Sequence, residues 1–130
     1  MEHRLFSIMV IDDDPHIREI FQLVMDYHHL PLYLASNAKI AMEYLAEKLP
    51  DVIVVDLFLP DTDGYHTMKA IRAAFPDSKC KIVATTAYYT TDTQQEVMRR
   101  GFDGYIQKPV DTTRLVPYLR DLISDGASRK

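Results

Sequence analysis

The sequence predicts an α/β fold, a single doubly wound (βα)5 domain built on a five-stranded parallel sheet. Three observations carry that prediction. Five short apolar runs recur along the chain, and each is followed by a segment whose apolar residues return at helical spacing. The chain has 130 residues, of which 47% are apolar, enough for one domain with a real core. Strict alternation of strand and helix implies a parallel sheet with helices on both faces, joined by right-handed crossovers.

The elements follow in order. Residues 5–11 are rich in Ile and Val and too short for a typical helix, so they read as a strand. Asp14 and Pro15 read as an N-cap with Pro at the first helical position. Ile17, Ile20, Phe21 and Val24 then mark one apolar helix face. Residues 31–35 are a weaker strand. Ser36 is the expected cap of a second helix, with Ile40, Tyr44 and Leu45 facing inward. Residues 51–57 form the clearest strand, an almost unbroken apolar run that suits the middle of a parallel sheet. A loop, residues 60–64, leads to a third helix carrying Met68, Ile71 and Phe75, which Pro76 stops. Residues 81–85 are a fourth strand. A short helix follows the polar residues 90–92 and ends near Arg100, with Gly101 as its breaker. Residues 102–107 are a fifth strand. Asp111 opens a last helix through Leu115, Leu119 and Leu122, and residues 124–130 read as a polar tail beyond a domain of residues 1–123.

Composition removes several classes of function. The net charge is −4, and no basic stripe with interleaved aromatics occurs, so direct nucleic-acid binding is not expected. The longest strongly apolar stretches, residues 8–11 and 52–55, are far below the ~18 residues of a membrane span. No signal peptide precedes the first strand, and Cys80 stands alone, so a cytoplasmic location without a disulfide or Cys-based zinc site is expected. The five His are scattered and read as surface or structural residues.

In a doubly wound sheet, ligands bind beyond the carboxyl ends of the strands. The residues that close the strands are therefore the ones to inspect. The first strand ends in Asp12, Asp13 and Asp14, the third in Asp56, the fourth in Thr85 and Thr86, and the fifth in Lys108 and Pro109. An Asp triplet after a strand is also what a helix N-cap looks like. The joint occurrence at successive strand ends is more specific. Clustered carboxylates repel and raise one another's pKa unless a cation joins them. Mg2+, a hard oxygen-seeking ion, resolves that conflict and leaves positions open for a phosphoryl oxygen. Lys108 and the Thr86 hydroxyl can bind the remaining phosphoryl oxygens. Asp56, alone at the end of the central strand, is the best candidate nucleophile for phosphoryl transfer.

With these residues in view, the sequence resembles the receiver domains of two-component response regulators, the family of the single-domain chemotaxis regulator. The matching pieces are residues 8–15 (IMVIDDDP), 51–60 (DVIVVDLFLP) with Asp63-Gly64, 85–87 (TTA) and 104–109 (GYIQKP). The resemblance implies a flavodoxin-like sheet of order 2-1-3-4-5. It implies Asp56 as the phosphoacceptor, charged from a phosphohistidine of a histidine kinase or histidine phosphotransfer protein. It implies a Mg2+ ion held by Asp13 directly, by Asp12 through water, by Asp56 and by the backbone carbonyl of Phe58. Thr86 and Lys108 would bind the phosphoryl group, with Thr86 and Tyr105 as the switch pair. The Lys108–Pro109 bond is expected to be cis. The expected output is an unidentified partner or a fused output domain, since too few residues follow Leu122 for a DNA-binding segment.

Two positions depart from the family pattern. Leu59 replaces the usual unbranched apolar residue before the loop proline. Pro117 falls six residues into the last helix if Asp111 is its cap, so that helix either starts late or kinks, which puts dimerisation through it in doubt. Phe58 and Tyr88, two residues after the acceptor and the switch hydroxyl, flank the line of an attacking water. Neither can orient one, so their rings are expected to occlude it and slow self-dephosphorylation. Three other readings share parts of the pattern. A pseudo-receiver interaction module would typically have lost an acidic residue or the lysine. A haloacid-dehalogenase-type phosphatase would carry a cap insertion and an acidic pair after the lysine. A flavodoxin relative would carry a phosphate loop after the first strand.

Overall fold

A computed structural model describes residues 5–128. Five strands alternate with five helices: β1 (Ile8–Ile11), α1 (Pro15–Tyr27), β2 (Leu32–Ala35), α2 (Ala38–Leu45), β3 (Val52–Asp56), α3 (Gly64–Ala74), β4 (Lys81–Thr86), α4 (Thr93–Arg99), β5 (Gly104–Gln107) and α5 (Leu115–Ser128). The strands form one sheet in the order β2-β1-β3-β4-β5, and every pairing is parallel. This is the doubly wound (βα)5 architecture that the sequence predicts.

The period of two in the strands sorts the core into two layers. Met9, Ile11, Ile53, Val55, Ile82 and Ala84 point to one face, where Leu45, Met68, Ile71 and Val97 of α2, α3 and α4 cover them. Ile8, Val10, Val52, Val54 and Val83 point to the other, beneath Phe21 and Met25 of α1 and Leu115, Val116 and Leu119 of α5. Both faces of the three central strands are thus apolar. Burying each such side chain contributes about 1.5–3 kcal/mol, and the strand ends are left as the place where polar side chains collect.

Local chemistry accounts for the boundaries. Asp14 caps α1 by accepting the His16 N–H at 2.9 Å, with Pro15 in the first turn, as expected. His29, in the left-handed region at φ 58°, ends the segment that follows α1. Gly101, at φ 120°, breaks the chain after α4. The Lys108–Pro109 bond is cis.

Several details differ from the sequence reading. Asn37, not Ser36, caps α2, because its side chain reaches the Ile40 N–H at 2.8 Å. Tyr44 is exposed rather than inward. Asp111 opens a turn, accepting the Thr113 N–H, and α5 begins only at Leu115. Pro117 therefore lies in the first helical turn, where its missing N–H has no intrahelical partner to lose. The helix starts late and runs on through Ser128, so the polar residues 124–128 are helical. Four of the five His (His16, His28, His29 and His66) are exposed, and His3 lies outside the described residues.

Candidate functional site

The carboxyl ends of β1, β3 and β4 and the turn after β5 bring the predicted residues together. Asp12 follows β1 and is fully buried. Its Oδ1 accepts the Asp14 N–H at 2.9 Å, and its backbone carbonyl accepts a hydrogen bond from Arg18 Nη1 at 2.8 Å. Asp56 ends β3 and is almost fully buried. Its Oδ1 accepts the Phe58 N–H at 3.1 Å. Lys108 Nζ lies 2.8 Å from Asp12 Oδ2 and 3.3 Å from Asp56 Oδ2. The first contact is a buried ion pair, and the ammonium is the group that faces Asp12 Oδ2. Asp13 is exposed beside them, and one carboxylate oxygen each of Asp12, Asp13 and Asp56 lies within 4.8 Å of the others. Asp14 turns away to cap α1 and does not join the cluster.

The electrostatics follow from this crowding. Burial pushes the Asp56 carboxyl above its ordinary pKa. The Phe58 N–H opposes the shift, the Asp12 charge adds to it, and Lys108 opposes it. Burial alone would lower the Lys108 pKa, but Asp12 and Asp56 outweigh it and hold the ammonium above its usual value. The result is two carboxylates and one cation in a half-dry cleft, with a third carboxylate at the rim.

Thr86 is fully buried at the end of β4. Its hydroxyl accepts the Tyr88 N–H at 3.0 Å and donates to the Tyr88 carbonyl at 3.2 Å. Neighbouring Thr85 is also buried, and its hydroxyl has no hydrogen-bond partner. Tyr105 stands on β5 opposite Ala84. Its ring packs against the core on the sheet face that α2–α4 cover, and its hydroxyl is already buried without a partner. Burial first, then Tyr89 and Tyr65, raise its pKa. The Phe58 and Tyr88 rings meet edge to face, centroids 5.4 Å apart. Both line the cleft of about 910 Å³ that also contains Asp13, Asp56 and Lys108.

Two supporting residues, Arg18 and Asp61, escaped the sequence reading of the site, and a third, Gly64, entered it only as part of the matching motif. Arg18, one turn into α1, clamps the Asp12 carbonyl. Its signal was an arginine within an otherwise apolar-periodic helix start. Gly64 opens α3 so close to β3 that a Cβ there would lie 2.8 Å from the Asp56 carbonyl oxygen. Asp61 accepts hydrogen bonds from the Ala38 and Lys39 N–H groups, tying the loop after β3 to the start of α2. The Asp61 contact has no signature in spacing.

Residues 8–120 match a family model described as "Response regulator receiver domain". Among curated relatives, a protein of Leptolyngbya boryana described as "Uncharacterized 14.6 kDa protein in sodA1 3'region" is 32% identical over 110 residues, covering 85% of this chain and 84% of that one. "Response regulator Rre1" of Synechocystis is 29% identical, over 91% of this chain and 52% of its own length. "Response regulator protein PilR" of Pseudomonas aeruginosa is 32% identical over 82% of this chain, which spans only 24% of that protein. Among solved structures, a CheY-like receiver domain protein from Methanospirillum hungatei superposes with a TM-score of 0.83 at 20% identity, covering 98% of this chain and 100% of that one. A structure described as "BeF3 Activated DrrB Receiver Domain" superposes with a TM-score of 0.80 at 20% identity, covering 93% of this chain and 99% of that one.

Proposed function

The chain belongs to the response regulator receiver domains, and from that premise we propose that it is a phosphoacceptor switch in which Asp56 takes a phosphoryl group from a phosphohistidine. The observation that carries this reading is the convergence of Asp12, Asp13 and Asp56 within 4.8 Å beside Lys108. An ionised Asp56 oxygen attacks phosphorus, the O–P bond forms, and the P–N bond to the donor imidazole breaks with its electron pair leaving on nitrogen. Lys108, already within reach of both carboxylates, pairs with the incoming phosphoryl oxygens and offsets their charge. Thr86 donates its hydroxyl to a further phosphoryl oxygen.

The donor set fits Mg2+. All the candidate ligands are oxygens, and three carboxylates crowd within 4.8 Å with a single ammonium to offset their charge. Asp12, Asp13, Asp56 and the Phe58 carbonyl would hold the ion. When bound, it offsets negative charge as the phosphoryl group approaches.

The output reading follows from Thr86 and Tyr105. A buried hydroxyl without a partner costs about 1–3 kcal/mol, so the Tyr105 ring is poised to respond when the β4–α4 loop changes. The ring starts partly buried, so its response is a repacking within the face made by α4 and β5 rather than an entry from solvent. The protein turns over no substrate beyond its own phosphorylation and dephosphorylation. Its partners are a histidine kinase or phosphotransfer protein and an output partner or fused domain. The chain spans about half of Rre1 and a quarter of PilR, which suits a fused output domain, and 84% of the Leptolyngbya boryana protein, which suits a separate partner. Incubation with acetyl phosphate and Mg2+, followed by intact mass, tests the reading. One added phosphoryl group is expected on the parent and none on Asp56→Asn. Undiminished labelling of Asp56→Asn would refute it.

A further inference from the structure

The acceptor carboxylate and the Thr86 hydroxyl are joined across the mouth of the site by two aromatic residues. Phe58 donates its N–H to Asp56 Oδ1 at 3.1 Å. Its ring meets the Tyr88 ring with planes 85° apart. Tyr88 in turn is held by Thr86 through both its N–H and its carbonyl. Phe58 and Tyr88 are 57% and 75% exposed as residues. Side chains that open do not owe their positions to core burial. What keeps them there is the edge-to-face contact and the hydroxyl behind them.

That hydroxyl has one proton. It cannot donate to the Tyr88 carbonyl and to a phosphoryl oxygen at once. We propose that Phe58 and Tyr88 form an aromatic strap across the resting site, and that strap closure and phosphoryl binding compete for the Thr86 hydroxyl proton. The proposal rests on the phosphoacceptor reading and adds to it a pair of residues that sets how readily the site is charged. Tyr88 is a positioning residue, since it acts on the phosphoryl group only through Thr86.

Two consequences follow. The strap stabilises the resting state, so weakening it shifts the balance toward the phosphoryl-bound state without touching a ligand. The Tyr88 ring also guards the resting site rather than the charged one. The shielding that the sequence suggests for the aspartyl phosphate then falls to Phe58, which Thr86 does not hold.

The test uses the full chain carrying 3-fluorotyrosine, with the Tyr88 resonance assigned by Tyr88→Phe. Beryllofluoride with saturating Mg2+ is the phosphoryl mimic. It is expected to move the Tyr88 fluorine signal, and ligand-free Thr86→Val is expected to move it in the same direction. Thr86→Ser, which keeps a hydroxyl, should restore the parent signal. Tyr88→Ala should bind beryllofluoride about threefold more tightly, the scale of one exposed aromatic pair. A mimic that shifts the Asp56 and Lys108 resonances while leaving Tyr88 unmoved overturns the strap and spares the receiver reading. An unmoved Tyr88 signal in ligand-free, folded Thr86→Val overturns the strap whatever the mimic does. No response of any site resonance to the mimic overturns the receiver reading and the strap with it.

Discussion

The two edges of the sheet use the same residue types for opposite ends. At the amino edge, Asp51 precedes β3 and Asp103 precedes β5. Asp51 Oδ2 accepts the Ser7 N–H at 2.9 Å. Asp103 Oδ2 accepts the Ile82 N–H at 2.8 Å and a hydrogen bond from Arg72 Nη2 at 3.0 Å. Cys80 lies between them, its thiol pushed up to about 12 by burial and then by those two carboxylates, which makes it a poor nucleophile. At the carboxyl edge, Asp12, Asp13 and Asp56 crowd one another around a single ammonium. A carboxylate whose lone pairs meet backbone donors stitches the frame together. One that faces like charges around a single ammonium adds strain to the frame instead, and a cation or a charge-neutralising ligand would relieve it.

The sharpest way to break this contrast is a pair of isosteric substitutions. Asp56→Asn is expected to abolish labelling by acetyl phosphate. Asp103→Asn is expected to leave labelling intact and lower stability by about 1–3 kcal/mol, because it weakens charge-assisted bonds to Ile82 and Arg72. Urea unfolding and intact mass on both variants check the two halves. If Asp103→Asn loses labelling at full stability, the edges are not functionally distinct.

The next effect is on cation binding. Asp13→Asn should weaken Mg2+ binding by about tenfold or more, the range seen when even a supporting residue of a metal site is lost. Calorimetric titration measures it directly, and an unchanged affinity would place the ion elsewhere.

Lifetime separates the two rings. Phe58→Asn is expected to speed loss of phosphate about tenfold, or ~1.4 kcal/mol of barrier, with the donor removed and Mg2+ saturating. Tyr88→Ala should change that rate much less. Equal acceleration by both would return Tyr88 to the role of a shield over the charged site.

The pH dependence of stability gives opposite signs for two carboxyls. The Asp56 pKa is raised, chiefly by burial, so its ionised form costs the folded state at neutral pH. The stability advantage of Asp56→Asn over the parent, measured without metal, should therefore shrink as pH falls through that raised pKa. The Asp63 pKa is lowered, first by the His66 N–H it accepts. Its contribution is present above the ordinary Asp value of 3.8 and is lost as pH falls through the lowered pKa. At neutral pH, Asp63→Ala should cost about 1 kcal/mol as a lost helix cap. Asp63→Asn should cost less, since its amide oxygen can still accept from His66.

The sequence made some of this legible and hid the rest for identifiable reasons. The Asp14-Pro15 start of α1 and the breaker Gly101 were readable because capping and chain reversal depend on residues adjacent in sequence. The choice of Asn37 over Ser36 was not, since either side chain can cap, and the decision lies in which one the β2–α2 turn aims at the Ile40 N–H. The late start of α5 was half-legible: Pro117 announced a conflict, and only the turn at Asp111 resolved it.

By itself the sequence determined the alternation of period-two and helical segments, and hence a parallel sheet with acidic, hydroxyl and lysine residues at its strand ends. Those properties reside in local pattern, and the crossover rule converts them to topology. Only the tertiary structure decided that Lys108 lies 2.8 Å from Asp12 and 3.3 Å from Asp56, that Asp61 holds α2, and that Thr86 grips Tyr88 against Phe58. Partners up to 96 positions apart meet through strand register and loop path, and a contact energy between such residues leaves no periodic trace in the chain that encodes it.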